Sequence, residues 1–468
     1  MTIKNRPVWL LTVALLPLAA ATAQPGAGDQ GPDQTAGAAT SANNAAPALG
    51  PEPERWNLYY QATSIGQYHG SFPSPYSSPF SLQGHPEAEA SLTTTLFFGL
   101  RLATNTLLYF DPEIAGGRGF SGATGLANSP NGEMPRVQTA TPKPYLARLY
   151  FTQDFGFGTE REATDSDQNQ LAGSRPMTRY SITAGRFAIT DFFDDNRYSH
   201  DPRTQFMGWA VMYNGAWDYA ADTRGYTWGW VHEFHTRNWS VRYASAAMPR
   251  VANGERFDRQ LLRDRSDVFE GGFHAKIREH EGAVRLLSYF NRFDGGAYAD
   301  AIRRAQATGA QPDITIGPKP GTLKYGFGVS ADQEILKDLG VFGRLGWNDG
   351  KTESFAFTAM DRLATLGVSL NGSRWHRPGD TAATALTVGG LSAVHAQYLA
   401  MGGYDFLIGD GALRYGPETS WETYYSVRVM PFLFATFGLD HVDNPAYNRD
   451  RGPVWIGSFR LHVETGKK

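Results

Sequence analysis

Long segments in which apolar and polar residues alternate restrict the fold of this chain more than any other feature. Four of them begin near residues 56, 92, 324 and 421, and each runs for roughly nine to thirteen residues. Strands of globular proteins average about 5–6 residues, whereas a tilted strand needs about 9–11 to cross a bilayer. No stretch beyond the first 23 residues holds 18 consecutive apolar residues. If the mature protein enters a membrane, it must therefore do so as a barrel of strands.

The connections between these segments alternate in length. Short links are predicted at 102–106, 236–238, 279–282, 336–340 and 360–362. Long links rich in Gly, Pro, Asn and Asp are predicted at 69–91, 115–144, 188–225, 249–266 and 294–323. Outer-membrane barrels combine short periplasmic turns with long extracellular loops, and a closed single-chain barrel has an even number of strands. We therefore predict an all-β fold, a transmembrane antiparallel β-barrel of sixteen strands, with eighteen as the alternative.

The N-terminus has the pattern of an export signal. Lys4 and Arg6 precede an apolar run over residues 8–21, and the run ends in Ala-Thr-Ala, which fits the small-residue pattern of a cleavage site. The residues that follow are rich in Ala, Gly and Pro and poor in apolar side chains, which indicates disorder. The predicted organisation is a signal peptide at 1–23, a disordered leader at 24–55, the barrel at 56–463 and a C-terminal tail at 464–468.

The composition excludes several classes of function. The chain contains no cysteine, so disulfides, thiolate catalysis and Cys-ligated zinc are ruled out. Its net charge of −3 offers no basic stripe for nucleic acid. No histidine or carboxylate spacing matches a metal site, and no cofactor motif has the context it needs, so neither a metal nor a cofactor is expected.

Several long segments of the sequence resemble those of a known family. They closely resemble the carbohydrate-selective outer-membrane porin family, in the same order and at similar spacing, over roughly residues 55–463. The resemblance implies a sixteen-stranded porin of the Gram-negative type, through which monosaccharides and related small sugars diffuse passively, and it suggests a monomer. The segments are TAGRFAITDFFDDNRYSHDPRTQFMGWAVMYNGAWDYAADTRGYTWG (183–229), KYGFGVSADQEI (324–335), VFGRLGWNDGKTESFAFT (341–358) and NPAYNRDRGPV (444–454).

A sugar-selective constriction needs hydrogen-bonding side chains for hydroxyl groups and aromatic faces for the sugar ring. The long link 188–225 offers both, and we predict that part of it folds into the lumen and narrows it. The alternative is a solvated surface loop whose aromatic residues cap the rim. The candidate constriction residues are Asp191, Asp194, Asp195, Asn196, Arg197, His200, Asp201, Arg203, Trp209, Asn214, Trp217 and Asp218.

Charged residues on the polar faces of the strands are predicted to line the lumen. A charge on the lipid side near the bilayer midplane would cost about 2–4 kcal/mol, whereas a charge in a water-filled lumen costs little. Opposed Arg and acidic groups would set a transverse field that acts on passing solutes. The candidate lumen-wall charges are Arg101, Arg148, Lys324, Arg344, Glu422 and Arg428.

The segment VFGRLGWNDGKTESFAFT (341–358) has the pattern of a β-hairpin. Asn348-Asp349-Gly350-Lys351 is predicted to form a tight extracellular turn between its two strands. Arg344 is predicted to face the water-filled lumen. The residues predicted to face lipid are Leu345, Trp347, Phe355 and Phe357.

One further class of function stays open at this point. An exported β-rich chain linked to sugars can also be a secreted polysaccharide-acting enzyme or lectin, with Asp194 and Asp195 as the two carboxylates of a glycosidase. Adjacent residues on an extended chain point to opposite sides, so no acid and nucleophile are singled out. We therefore predict a channel in the cell outer membrane and not an enzyme, with small sugars and outer-membrane lipid as its partners.

Overall fold

The structure, a computed structural model, describes residues 51–134, 141–355 and 359–466. Within them, sixteen antiparallel strands form one closed barrel, in which the first strand pairs with the last. The prediction of sixteen strands is confirmed. The strands are β1 (Trp56–His69), β2 (Glu87–Ala103), β3 (Thr106–Gly117), β4 (Lys143–Thr164), β5 (Gly173–Phe187), β6 (Thr227–His235), β7 (Trp239–Ala247), β8 (Arg265–Ile277), β9 (His280–Gly295), β10 (Lys319–Leu336), β11 (Leu339–Asn348), β12 (Arg362–Asn371), β13 (Thr381–Gly390), β14 (Glu418–Met430), β15 (Leu433–Asp443) and β16 (Val454–Thr465).

The helices lie in the connections between strands. None of the helices in the described ranges is long and apolar enough to cross a membrane. The α-helices are α1 (Trp209–Met212), α2 (Tyr298–Thr308) and α3 (Ala393–Ala400), and the 3-10 segments are Phe120–Gly122, Ile189–Asp191, Gly372–Trp375 and Pro445–Tyr447.

Short links and long loops alternate along the whole barrel, as predicted. The short links lie at the same end of the barrel as the first residue of β1 and the last residue of β16. In outer-membrane barrels this end faces the periplasm. The short links are 104–105, 165–172, 236–238, 278–279, 337–338, 372–380 and 431–432, and the long loops are 70–86, 118–142, 188–226, 248–264, 296–318, 349–361, 391–417 and 444–453.

The ends of the barrel differ slightly from the predicted boundaries. Residues 1–50, which hold the predicted signal peptide and most of the leader, lie outside the described residues. Glu54, within the predicted leader, donates its backbone N–H to the Ala172 carbonyl at 3.0 Å, so the packed chain begins slightly earlier than Trp56. At the other end β16 extends to Thr465 and includes two residues that the prediction assigns to the tail.

The two faces of each strand have opposite polarity, with the apolar side chains outside. On β11 the side chain of Leu345 is 59% exposed on the outer surface, whereas its neighbour Arg344 is 1% exposed and points inward. Trp347 stacks with Phe327 of β10 on the same outer surface, with ring centroids 6.0 Å apart. An apolar belt of this kind is stable only against lipid.

The predicted hairpin at 341–358 is wrong beyond Asn348. The chain leaves β11 into loop 349–361 and does not re-enter the barrel wall until Arg362, so neither the tight turn at 348–351 nor the short link at 360–362 exists. Phe355 is 1% exposed inside the barrel and packs on Phe293, with ring centroids 4.2 Å apart, so it does not face lipid. Phe357 lies outside the described residues.

Contacts with another loop explain why the local turn signal fails. Asn348 Nδ2 donates to the backbone carbonyls of Ala216 and Met360, at 3.1 Å and 2.8 Å. The backbone N–H of Phe355 donates to the Asp218 carboxylate at 3.0 Å. The bonds to Ala216 and Asp218 of loop 188–226 hold the segment inside the barrel, and tertiary packing thereby overrides the turn preference of Asn-Asp-Gly.

The hydrophobic core lies inside the barrel, among the loops. One cluster joins Phe193 and Trp217 of loop 188–226 to Phe293 of β9 and Phe355 of loop 349–361. A second cluster joins loops 296–318, 349–361 and 391–417. Loops therefore cover much of the inner wall on the β8–β14 side.

Candidate functional site

Loop 188–226, which we call the inward loop, crosses the interior of the barrel. Asn196 Nδ2 donates to Ser330 Oγ on β10 at 3.2 Å. The next residue, Arg197, forms an ion pair of 2.6 Å with Glu281, close to the short-link end of β9. The loop therefore leaves β5 at the long-loop end and reaches almost to the opposite end of the barrel.

A buried ion pair joins the inward loop to β11. Arg344 Nε lies 3.0 Å and 2.9 Å from the two carboxylate oxygens of Asp194. Its two Nη groups donate to the carbonyls of Val211 and Ser199, each at 2.6 Å. Arg344 points inward as predicted, but it is sealed between wall and loop and does not face a water-filled lumen. Its partners compensate the buried charge.

Two further buried charges hold the same loop. Lys324 Nζ on β10 lies 3.1 Å from an Asp218 carboxylate oxygen. Glu422 on β14 accepts the backbone N–H groups of residues 207 and 208 at 2.6 Å and 3.0 Å, at the start of α1. These predicted lumen-wall charges therefore act as anchors of the loop.

Two glycines of the wall permit the close approach of the inward loop. Asn214 Nδ2 donates to the Leu345 carbonyl at 3.1 Å, which brings its amide group against β10 and β11. A Cβ atom at Gly346 would lie 2.1 Å from Asn214 Oδ1, and one at Gly328 would lie 2.3 Å from Asn214 Nδ2. Any larger residue at either position would push the loop away from the wall.

Two adjoining cavities lie along β1–β7, opposite the side that the loops fill. The loop-side cavity has a volume of about 470 Å³ and is bounded by the inward loop and by Glu133 of loop 118–142. The turn-side cavity has a volume of about 390 Å³ and reaches the short link 104–105. The residues that line both cavities, which we call the neck, are Tyr150, Asn169, Asp191 and Phe192.

An arginine–aspartate fork lies at the neck. Arg148 on β4 donates from Nε and Nη2 to the two carboxylate oxygens of Asp191, at 2.7 Å and 2.6 Å. Its Nη1 also lies 3.4 Å from an oxygen of Asp111 on β3. Bidentate pairs of this kind fix both side chains, so the charges at the neck have a defined geometry.

A second arginine in the loop-side cavity lies between two glutamates. Arg203 of the inward loop lies 2.9 Å from Glu113 on β3 and 2.9 Å from Glu133. Burial raises the pKa of Glu133, although Arg203 opposes this effect. Burial would also raise the pKa of Asp201, but the Arg203 guanidinium and the hydrogen bonds from Thr204 and Arg203 hold it below the usual value.

Aromatic rings line the same cavities as these charges. Tyr150 of β4 and Phe192 of the inward loop pack edge to face, with ring centroids 6.1 Å apart. Tyr213 and Tyr219 line the loop-side cavity, and their centroids are 6.0 Å apart. Apolar ring faces next to fixed polar groups are the combination that a sugar requires.

Some of the residues predicted from the sequence line these cavities. Those on the loop-side cavity are Arg148, Asp191, His200, Asp201, Arg203 and Trp209. Those on the turn-side cavity are Arg101, Asp191 and Asp195.

The remaining predicted residues lie elsewhere. Arg197 pairs with Glu281, and Arg428 Nη2 donates to the Pro431 carbonyl, both near the short-link end. The residues that hold the inward loop against the wall or lie within its packing are Asp194, Asn196, Asn214, Trp217, Asp218, Lys324, Arg344 and Glu422.

Sequence reasoning missed several lining residues. Tyr150 and Asp154 share the strand parity of Arg148, so extending the alternation along β4 would have found them. Glu113 shares the buried face of β3 with Tyr109 and Asp111, so the alternation along β3 would have found it as well. Asn169 lies in the β4–β5 link, and no local signal shows that this link enters the barrel.

Among the described residues, one group of carboxylates lies close enough together to hold a metal ion. Asp258, Asp264 and Asp294 have ligand atoms within 4.8 Å of one another. Arg263 forms ion pairs with Asp264 and Asp294, at 2.6 Å and 2.9 Å, and so supplies a positive charge to the group. These residues lie away from both cavities.

A closed sixteen-stranded barrel with an apolar outer belt, and with polar cavities narrowed by an inward loop, defines a porin. The chain belongs to the carbohydrate-selective porin, OprB family, whose model matches residues 83–464. It is an outer-membrane channel for the diffusion of sugars.

One solved structure supports the fold. The high-pH structure of Pseudomonas putida OprB is 15% identical, with a TM-score of 0.64 over 88% of this chain and 94% of that one. The outer-membrane channel DcaP of Acinetobacter baumannii is 8% identical, with a TM-score of 0.48 over 89% of this chain and 100% of that one. No curated protein matches the chain. Nothing in these comparisons supports a secreted enzyme or lectin.

Proposed function

We propose that monosaccharides and related small carbohydrates pass one at a time along the β1–β7 side of the barrel, through the neck. The observation that carries this proposal is the Arg148–Asp191 fork. Its Asp191 lines both cavities where they meet, as do the rings of Tyr150 and Phe192. Cavities of about 470 Å³ and 390 Å³ lie near the lower end of the about 300–1,000 Å³ typical of ligand pockets, which favours a single small solute.

The chemistry of the neck suits a neutral polyol. A hydroxyl group both donates and accepts hydrogen bonds, and the fork places an arginine donor and carboxylate acceptors within a few ångströms of each other. The aromatic faces favour a sugar ring over a hydrated ion, because an ion would have to give up water against an apolar surface. Selectivity then arises from many weak contacts, which let the solute leave as readily as it enters.

We further propose that passage is passive, without a covalent step, a cofactor or a metal. A single barrel is sufficient for this role, because β1 and β16 complete the sheet within one chain, so a monomer is proposed. Export to the outer membrane requires a signal, and residues 1–23 are proposed to supply it, followed by the leader.

Liposome swelling tests the proposed selectivity. Vesicles that contain the purified protein should swell quickly in isotonic D-glucose or D-xylose and hardly at all in the trisaccharide raffinose. Replacing Arg148 with Ala should widen the neck, so that raffinose enters faster and single-channel conductance rises. Arg250→Ala is the matched control, because Arg250 is exposed on loop 248–264 and lines neither cavity.

Two results would contradict the proposal. Vesicles that conduct ions but do not swell in monosaccharides would show a pore without sugar passage. Equal swelling rates for glucose and raffinose in the unmodified protein would show that the neck does not select by size.

A further inference from the structure

The link between β4 and β5, residues 165–172, differs from the other short connections at its end of the barrel, because its tip enters the lumen. Asp167 and Gln170 exchange two backbone hydrogen bonds of 3.0 Å, which leaves Gln168 and Asn169 at the tip of a tight turn. Asn169 has φ of 53°, in the left-handed region that asparagine tolerates better than most residues. Gln168 lines the loop-side cavity, and Asn169 lines both cavities.

Contacts with the start of the barrel hold this link in place. Asn57 Nδ2 on β1 donates to the Gln170 carbonyl at 2.7 Å. Glu54 accepts hydrogen bonds from Ser166 Oγ at 2.7 Å and from the Ala172 backbone N–H at 3.0 Å. Both partners belong to the N-terminal edge of the folded chain. The link is therefore fixed in position and does not behave as a free periplasmic turn.

The tip of the link reaches the middle of the barrel wall. Asn169 Nδ2 donates to Asp111 Oδ2 at 2.9 Å. Asp111 is fully buried and lies five residues along β3 from Thr106, which corresponds to about 17 Å of strand. Because Asp111 also contacts Arg148, which holds Asp191, a continuous polar chain runs from the link to the inward loop.

Two acceptor atoms at this place have no donor from the protein. The amide nitrogen of Asn169 faces Asp111, to which it donates at 2.9 Å. This orientation leaves Asn169 Oδ1 free to accept, and neither it nor Asp111 Oδ1 receives a hydrogen bond from any described residue. Buried acceptors without a donor are costly unless something else supplies one.

We propose that Asn169 is a specificity-determining residue of the pore, which accepts a hydrogen bond from a sugar hydroxyl at the neck through its Oδ1 atom. Arg148, which lines the loop-side cavity, offers donors beside it. An acceptor beside donors suits neighbouring sugar hydroxyl groups, because each hydroxyl can both donate and accept a hydrogen bond. An anion is disfavoured, because it cannot donate to the acceptor. The inference rests on the proposed sugar passage and assigns part of its selectivity to a periplasmic link.

Block of the ion current by sugar tests the role of Asn169. The purified full-length protein is placed in a planar bilayer, and the D-glucose concentration that halves the potassium chloride current is measured. Asn169→Gly removes the amide and keeps the left-handed backbone, so the half-blocking concentration should rise about three- to tenfold, as expected for one lost hydrogen bond. Asn169→Asp should not restore block, because it places a second carboxylate beside Asp111.

Asn253→Gly is the matched control. Asn253 also has a left-handed backbone, with φ of 50°, but it lies in loop 248–264 and lines neither cavity. This variant should keep the half-blocking concentration of the unmodified protein. A loss of sugar block in the control as large as in Asn169→Gly would overturn the proposal, because any loop change would then have the same effect.

The outcomes separate this inference from the function on which it rests. If glucose neither blocks nor crosses the unmodified channel, the proposed function fails before any variant is compared. If glucose blocks the unmodified channel and Asn169→Gly binds it equally well, sugar passage stands and the role of Asn169 fails. Heat-dependent gel mobility checks that each variant forms a barrel, and Asn169→Asp gives a second test if the glycine variant does not assemble.

Discussion

Single buried residues in this barrel link loops to the wall and to one another. Glu353 of loop 349–361 is an example, because its Oε1 atom accepts the backbone N–H of Gly296 in the neighbouring loop at 2.7 Å. Burial raises the pKa of Glu353 from 4.5 to about 8, with Asp405 adding to the effect and Lys324 opposing it. The carboxyl group is therefore protonated in the folded protein at neutral pH.

This raised pKa predicts how stability depends on pH. Between pH 4.5 and 8 the unfolded chain loses the Glu353 proton and the folded protein keeps it, so stability falls as pH rises, by at most about 1.4 kcal/mol per unit. Glu353→Gln should remove this part of the dependence and leave the bond to Gly296. The measurement is the midpoint temperature of the heat-dependent gel shift at pH 5 and pH 9.

Glu160→Gln is the control for this prediction, because Glu160 is an exposed residue of β4 that pairs with the exposed Arg237. Its midpoint should change between pH 5 and pH 9 as it does in the unmodified protein. A Glu353→Gln protein with an unaltered pH dependence would show that this carboxyl group ionises normally in the folded state.

At the scale of elements, the inward loop depends on both its own charges and the small residues of the wall. Asp194 and Asp218 find cationic partners on β11 and β10, and Gly328 and Gly346 lie on those same two strands under Asn214. Loop and wall therefore form one unit, in which a strand residue acts on the pore through the loop that it supports.

Gly346→Val should displace the inward loop. The new Cβ would overlap Asn214 Oδ1, and overpacking of this kind costs about 1–3 kcal/mol. We expect a lower midpoint of the gel shift and a higher single-channel conductance. Gly457→Val is the matched control, because Gly457 lies on the outer face of β16 and a Cβ there meets nothing within 4 Å. Unchanged conductance in Gly346→Val would mean that the loop does not restrict the pore.

The alternation of apolar and polar residues predicted the strands well wherever the outer face of a strand is apolar and its inner face is polar. β13 lacks this contrast, because Ala383 and Ala385 point inward and Ala382 lies on the other face. The positions of the loops could not be predicted from local patterns. Asp194 and Arg344 are 150 residues apart in the chain, and nothing near either residue shows that they meet.

At the scale of the whole molecule, the apolar surface faces outward and the polar surface faces the loops and cavities. The lumen is not uniformly wet, because the loops bury the wall on the β8–β14 side and leave cavities along β1–β7. Arg344, on the buried side, is therefore a poor probe of water access, although it points inward. Thr152 lines the turn-side cavity and is a better one.

Cysteine labelling tests this arrangement without interference, because the chain contains no cysteine of its own. In lipid vesicles a charged maleimide should react with Thr152→Cys and leave Leu345→Cys unmodified. A bilayer-soluble maleimide should react with Leu345→Cys, whose parent side chain is 59% exposed on the outer belt. Rapid reaction of the charged reagent at position 345 would reverse the assignment of the two faces.

The pairing of β1 with β16 has a consequence for how the barrel assembles. Thr63 Oγ1 and His462 Nδ1 lie 2.8 Å apart across this seam, although 399 residues separate them in the chain. Every other strand pair joins neighbours in sequence and can form early, whereas the seam must wait for the last strand. Until it closes, two strand edges offer unpaired backbone groups to any other chain. Assembly therefore ends at one place, and protection of the unfinished sheet is needed until that moment.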